Sequence, residues 1–175
     1  MKHKEIWLII FFIILIGFFV LISRLAIKNL QPTLRETAIV SYVVDGDTIK
    51  VVIDNRKDTV RLIGIDAPET VDPQKPVQCF GREASDEAKK VLTGKTITIE
   101  SDPTQGERDK YGRLLRYVFL QNGTNFDEFM VDEGFAREYT YLNNPYKYAK
   151  EFKNAQNQAK KSKKGLWSEC AGFLL

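Results

Sequence analysis

The sequence predicts an α+β domain, a small five-stranded β-barrel with three helices packed round it, preceded by one N-terminal transmembrane helix. Three observations lead there. Apolar residues alternate in short runs between residues 38 and 120, they recur at helical spacing in three other segments, and a long uncharged run opens the chain.

Ile6 to Ile22 is a run of 17 residues without a charge. A secretory apolar region usually spans about 7–15 residues and a membrane-crossing helix about 17–25. No clean A-x-A site follows, and Ser23 to Lys28 continue in helix-compatible fashion. Residues 1–28 therefore read as a retained anchor or signal-anchor, with a secreted product if the segment is cut. Lys2, His3 and Lys4 precede it and Arg24, Lys28 and Arg35 follow it, so flanking charge leaves the orientation open. "NLQPTLRE", residues 29–36, reads as a polar linker, and residues 37–175 fit one domain.

Within that domain Ala38, Val40, Tyr42 and Val44 alternate, "DGD" turns the chain, and Ile49, Val51 and Ile53 alternate again, which is a hairpin signature. A second turn at Asn55 to Asp58 leads into Val60 and Leu62, completing an antiparallel meander. Phe80 to Leu92 sets Ala84, Ala88, Val91 and Leu92 on a helical face, with Gly94 in the position that ends helices. Two more strands are expected at Thr96–Glu100 and Leu114–Leu120. Two amphipathic helices follow, over Asn125–Glu133 (Phe126, Phe129, Met130) and Pro145–Lys164 (Tyr148, Phe152, Ala155, Ala159). The five-stranded barrel that this order suits is the OB-fold, which often binds oligonucleotides.

A net charge of +3 does not by itself announce a nucleic-acid partner. Lys147 to Lys164 carries seven lysines against one acid, Glu151, and reads most simply as a solvated helix face. The two cysteines, Cys79 and Cys170, stand far apart with no neighbouring ligand. Behind a membrane segment they point to an exported domain with one disulfide, which would put the domain outside the cell membrane; the alternative is two free thiols in the cytosol. The only histidine is His3, so a histidine-based hydrolase or a His-ligated metal enzyme is unsupported.

Carboxylates and arginines remain. "RLIGIDAPET", residues 61–70, runs from an apolar strand straight into Asp66 and Glu69. In a meander these acids converge with Asp45 and Asp47 of the first turn. Clustered carboxylates without histidine suit a hard, oxygen-seeking cation such as Ca²⁺ or Mg²⁺. "DGD" and "DAPE" each also read as ordinary solvated loops. Arg61 and Asp66 lie on opposite faces of a regular strand, so a shared site requires the strand to twist, bulge or end between them.

"DGDT" (45–48), "RLIGIDAPE" (61–69), "DKYGR" (109–113) and "GLWS" (165–168), in that order, closely resemble the thermonuclease family of staphylococcal-nuclease-like domains. The resemblance spans about residues 37–170 and implies the same OB-type barrel with three helices. Carried over by position, it implies Asp47, Asp66 and the carbonyl of Ala67 as Ca²⁺ ligands, and Glu69 as the residue that orients and deprotonates water. It implies Arg61 and Arg113 as the grip on the scissile phosphate, Lys110 and Tyr111 as contacts to a neighbouring phosphate, and Tyr139 and Tyr141 as walls beside the base. Ala67 departs from relatives that carry Thr there, which touches only a side-chain contribution.

The implied activity is Ca²⁺-dependent endonucleolytic hydrolysis of DNA and RNA, single-stranded or locally opened, with little sequence preference and 3′-phosphate products, by a monomer. The chemistry is consistent with these residues, because guanidinium forks and a divalent cation offset charge developing on a phosphodiester. The rivals are an inactive nucleic-acid- or peptide-binding module on the same fold and a membrane-tethered adaptor. All the acids and arginines are present, which favours the enzyme.

Overall fold

The computed structural model describes Trp7, residues 11–22, 33–70 and 76–170, and the chain divides into two compact units, Met1–Pro32 and Thr33–Leu175. In the first unit residues 11–22 are helical and their side chains are exposed. Among the described residues no helix is both long and apolar enough to cross a membrane. The rest of the anchor assigned to residues 6–22, and residues 29–32 of the linker, lie outside the described residues.

The second unit is organised by seven strands and four α-helices among its described residues: β1 (Arg35–Val43), β2 (Thr48–Ile53), β3 (Arg56–Leu62), β4 (Ile65–Asp66), α1 (Gly81–Leu92), β5 (Thr96–Glu100), β6 (Leu114–Phe119), α2 (Phe126–Asp132), β7 (Arg137–Glu138), α3 (Ala149–Lys161) and α4 (Leu166–Glu169). Five strands close a barrel in the order β1-β2-β3-β6-β5, and β4 with β7 forms a separate two-stranded sheet. The expected meander is there as β1–β2–β3, while β6 joins β3 in parallel and β5 closes onto β1 antiparallel. The first strand begins at Arg35, inside the segment read as linker, because Leu34 and Ser101 hydrogen-bond each other beside it.

Three departures from simple alternation shape the site. A bulge between Val40 and Tyr42 shifts the β1 register, so Val43 turns inward while Tyr42 stands 57% exposed, against the regular pattern expected from the sequence. The β2–β3 hairpin turns at Asp54–Asn55, both at positive φ, earlier than the expected Asn55–Asp58; Asp and Asn tolerate that conformation in tight hairpins. And β3 ends at Leu62. Gly64, at φ +80°, redirects the chain so that β4 pairs with β7, and any Cβ there would lie 2.5 Å from the Tyr146 ring. That break resolves the parity conflict between Arg61 and Asp66.

The barrel fills with β-branched residues, among them Val40, Val51, Val60, Ile97, Ile99 and Val118, all essentially buried. Helix α1 adds Ala84, Ala88 and Leu92; α3 adds Phe152, Ala155 and Ala159, the stripes its periodicity predicted. Asn125 caps α2, its side chain accepting hydrogen bonds from the N–H groups of Asp127 and Glu128. The third expected helix is shorter than Pro145–Lys164, and α4 is additional. Gly134 and Gly165 allow α4 to dock: a Cβ on Gly165 would lie 2.4 Å from the Gly134 carbonyl oxygen, and the Leu166 N–H donates to that same oxygen at 2.9 Å. Cys79, just before α1, is disulfide-bonded to Cys170, just after α4, across 91 residues. Closing a loop of that length removes denatured-state entropy worth about 4–5 kcal/mol at most.

Candidate active site

The β1–β2 turn places Asp45 and Asp47 inward. A Cβ on Gly46 would come within 2.6 Å of the Ala67 Cβ, so the turn packs directly on the segment after β4. The Asp47 carboxylate is buried and held from three sides: it accepts from the Thr48 hydroxyl at 2.9 Å and from the Ala67 N–H at 2.9 Å, and pairs with Arg61 at 3.2 Å. Asp45 is buried as well and accepts from the Asp47 N–H at 3.0 Å. Burial, then the Asp47 carboxylate, push the Asp45 carboxyl up to about 7. Desolvation, then Asp47, also raise Asp66, although its side chain is 57% exposed. Glu69 is near enough to add to the repulsion on both. Among the described residues no three His, Cys, Asp or Glu side chains close round a single ion position. What the structure holds is a crowd of like charge.

Arg61 leans into that crowd. Its guanidinium donates to the carbonyls of Leu62 at 2.7 Å and Ile65 at 2.8 Å, spanning the break after β3, and reaches Asp66 at 3.4 Å; the side chain is 14% exposed. Arg113 is positioned differently. Asp109 accepts from its Nε at 2.7 Å and from its backbone N–H at 3.0 Å, and the same carboxylate accepts from the Tyr111 N–H, shaping the loop ahead of β6. Arg113 also reaches the Thr48 hydroxyl at 3.4 Å, which links it to the Asp47 turn. Its guanidinium carbon sits 5.4 Å from the centre of the Tyr111 ring, and the Lys110 ammonium 4.9 Å from it.

A cleft of about 470 Å³ brings Arg61, Asp66, Lys110, Tyr111, Arg113, Tyr139 and Tyr141 together on its walls. Tyr139 and Tyr141 are exposed, their ring centres 6.4 Å apart. Asp47, Ala67 and Glu69 are not on those walls; Asp47 reaches them through its pair with Arg61, and the Ala67 N–H bonds Asp47. The Glu69 carboxylate accepts from the N–H of Thr70 at 2.9 Å, within its own loop.

Several residues of the site carried no assigned role in the sequence. Asp45 was visible as a converging acid, but its perturbation depends on burial. Asp109 had a signal, its i,i+4 spacing to Arg113. Arg108 lines the cleft and is held bidentately by Asp58 at 2.6 and 2.9 Å, donating also to the Gly112 carbonyl at 2.6 Å; that pairing across 50 residues has no local trace.

Comparison with known proteins gives these residues a context. The family model for the staphylococcal nuclease homologue matches residues 59–169. A thermonuclease of Staphylococcus hyicus is 46% identical over 134 residues, 77% of each chain. The endonuclease YncB of Bacillus subtilis (strain 168) is 41% identical over 148 residues, 84% of this chain and 67% of its own. A thermonuclease of Staphylococcus intermedius is 42% identical over 140 residues, 80% of this chain and 81% of its own. A closed five-stranded barrel, a cleft walled by residues of the second and third ordered motifs, and matches that cover most of the domain lead to one conclusion: the chain belongs to the staphylococcal nuclease homologue family.

Proposed function

We propose that this chain is a Ca²⁺-dependent endonuclease that hydrolyses DNA and RNA with little sequence preference and leaves 3′-phosphate ends. The observation that carries the reading is the convergence of Arg61 and Arg113, from separate elements, on one cleft with Asp66 at its edge and three tyrosines along its wall. The named activities of the relatives, thermonuclease and endonuclease, support the same reaction class.

The donor set fits a hard cation. Asp47, Asp66 and the main-chain carbonyl of Ala67 supply oxygen only, and burial first, then mutual repulsion, raises the carboxyls of Asp45 and Asp66, a cost that a divalent charge would offset. A Ca²⁺ ion held by these residues would supply positive charge to offset the charge that develops on the phosphate. The remaining work falls to the chain. Glu69 orients water and takes its proton. The Arg113 fork meets two oxygens of the phosphate as negative charge grows on them, and Arg61 adds charge from the acid side of the cleft. Lys110 and Tyr111 hold a flanking phosphate. Tyr139 and Tyr141 offer aromatic faces to any base, which gives affinity with little sequence preference. No step uses a ribose 2′-hydroxyl, so both nucleic acids are substrates.

The same reading puts the domain, as a monomer, on the outer side of the cell membrane, held by residues 6–22, or released if that segment is cut. The disulfide supports an oxidising compartment. Protease added to intact cells should then remove the domain; a domain protected until lysis contradicts the placement.

The activity test is cleavage of end-labelled single-stranded DNA and RNA with Ca²⁺ or with chelator, followed by analysis of the new termini. Ca²⁺-dependent cutting with 3′-phosphate ends is expected. Binding without cutting at any Ca²⁺ concentration favours the inactive module instead.

A further inference from the structure

Glu69 lies two residues beyond Ala67, whose N–H ties this loop to the barrel turn at Asp47. Among the described residues its main chain pairs with Gln78: the Gln78 N–H donates to the Glu69 carbonyl at 2.9 Å, and the Glu69 N–H donates to the Gln78 side-chain carbonyl at 3.0 Å. Both bonds are at the surface, where each contributes only about 1 kcal/mol net. Gln78 needs an anchor of its own to keep a catalytic carboxylate in place.

That anchor begins at the next residue. Cys79 is bonded to Cys170, which closes α4 through its N–H to the Leu166 carbonyl, and Leu166 is buried and donates to Gly134. Phe80 then takes a left-handed backbone conformation, φ +65°, unusual for an aromatic residue, and stacks on Phe135 at 5.7 Å. Gly81 opens α1 against the same loop: a Cβ there would meet the carbonyl oxygens of Pro68 and Glu69 at 3.1 Å and the Thr70 methyl at 2.9 Å. A continuous path therefore runs from the end of α2 through α4 and the disulfide to Gln78 and the backbone of Glu69.

The structure assigns a positioning role to Gln78 and to the Cys79–Cys170 disulfide: together they hold the Glu69 loop for water activation, so the disulfide governs turnover as well as stability. This rests on the reading of Glu69 as the base. It also makes activity sensitive to thiol reductants while the protein stays folded.

The test uses the full chain in non-ionic detergent, well below its melting temperature, with a labelled DNA oligonucleotide and saturating Ca²⁺. Gln78→Ala is expected to lower kcat about 10- to 100-fold, the scale of a slightly misplaced catalytic group. KM and the Ca²⁺ midpoint should stay within about twofold, as expected when ground-state binding is untouched. Gln78→Glu keeps an acceptor for the Glu69 N–H and should recover most of the loss. Cys79→Ser/Cys170→Ser, and wild type under reductant, should lose kcat similarly, and combining either with Gln78→Ala should cost little more, since both act through one link. Wild-type kcat in folded Gln78→Ala and in the disulfide-free protein overturns the inference, as do losses that multiply or that fall on KM and Ca²⁺ affinity. Glu69→Gln separates the two levels: if it cuts as fast as wild type, the reading of Glu69 fails; if it is slow while Gln78→Ala is not, only the positioning role fails.

Discussion

The two arginines of the cleft occupy opposite kinds of surroundings. Arg61 is 14% exposed and bound to two main-chain carbonyls and two carboxylates, so it is part of the architecture that turns the chain from β3 into β4. Arg113 is 29% exposed, oriented by Asp109, and lies beside the open ring of Tyr111. Asp45, Asp47 and Arg61 are thus largely buried, whereas Arg113 and Tyr111 are more exposed and held mainly by local loop contacts. One arrangement keeps like charges together; the other holds the Arg113 guanidinium on Asp109 beside the open cleft. Substitutions on the two sides should therefore separate stability from activity.

Arg113→Lys gives the largest expected effect. It keeps the charge but loses the bidentate fork, and single-turnover cleavage should slow by roughly 10²–10⁴, the scale of lost transition-state donors. Its melting temperature should hardly move. Arg61→Lys should slow cleavage and, unlike Arg113→Lys, also cost about 1–3 kcal/mol in urea unfolding, because buried carbonyls and Asp47 lose their donor. Equal stability of the two variants would erase the comparison. Tyr139→Ala should be milder, with about 1 kcal/mol of lost base stacking appearing as a higher KM at unchanged kcat and stability.

The smallest effect sharpens the buried side further. Asp127, in the first turn of α2, is fully buried; it accepts from the Val118 N–H at 3.2 Å while its second oxygen has no partner. Burial holds its carboxyl well above the usual carboxylate range. The folded state therefore binds this proton more tightly than the unfolded chain, so the contribution is complete below the unfolded value near about pH 4 and is lost as pH rises through the folded value. Asp127→Asn should raise the urea midpoint at about pH 8 and leave it unchanged near about pH 4. A variant that gains nothing at the higher pH would show that Asp127 carries no such strain.

Much of this could be read locally. The hairpin at "DGD", the α1 and α3 stripes and the helix-ending glycines follow from period and turn chemistry, which depend on neighbours a few residues apart. The Tyr42 face was misread because a bulge in β1 shifts parity by one, and a bulge answers to the partner strands, not to the strand's own pattern. The second hairpin turn came earlier than composition suggested for a related reason: register with β2 decided it. Of the site, the acids and arginines stood out as residue types, but Asp58 with Arg108 and Gln78 with Glu69 are pairs of ordinary polar residues whose spacing says nothing.

By itself the sequence determined the five barrel strands and the three longer helices of the domain, the lack of any histidine in residues 37–175, and four motifs whose order identifies the family. Only the tertiary structure decided that β6 enters parallel to β3, that the chain breaks at Gly64 so that Arg61 and Asp66 share a site, and that burial drives the Asp45 carboxyl upward. The physical reason is range. Propensity and periodicity act within a few residues, while pairing, desolvation and charge repulsion depend on groups brought together from distant parts of the chain.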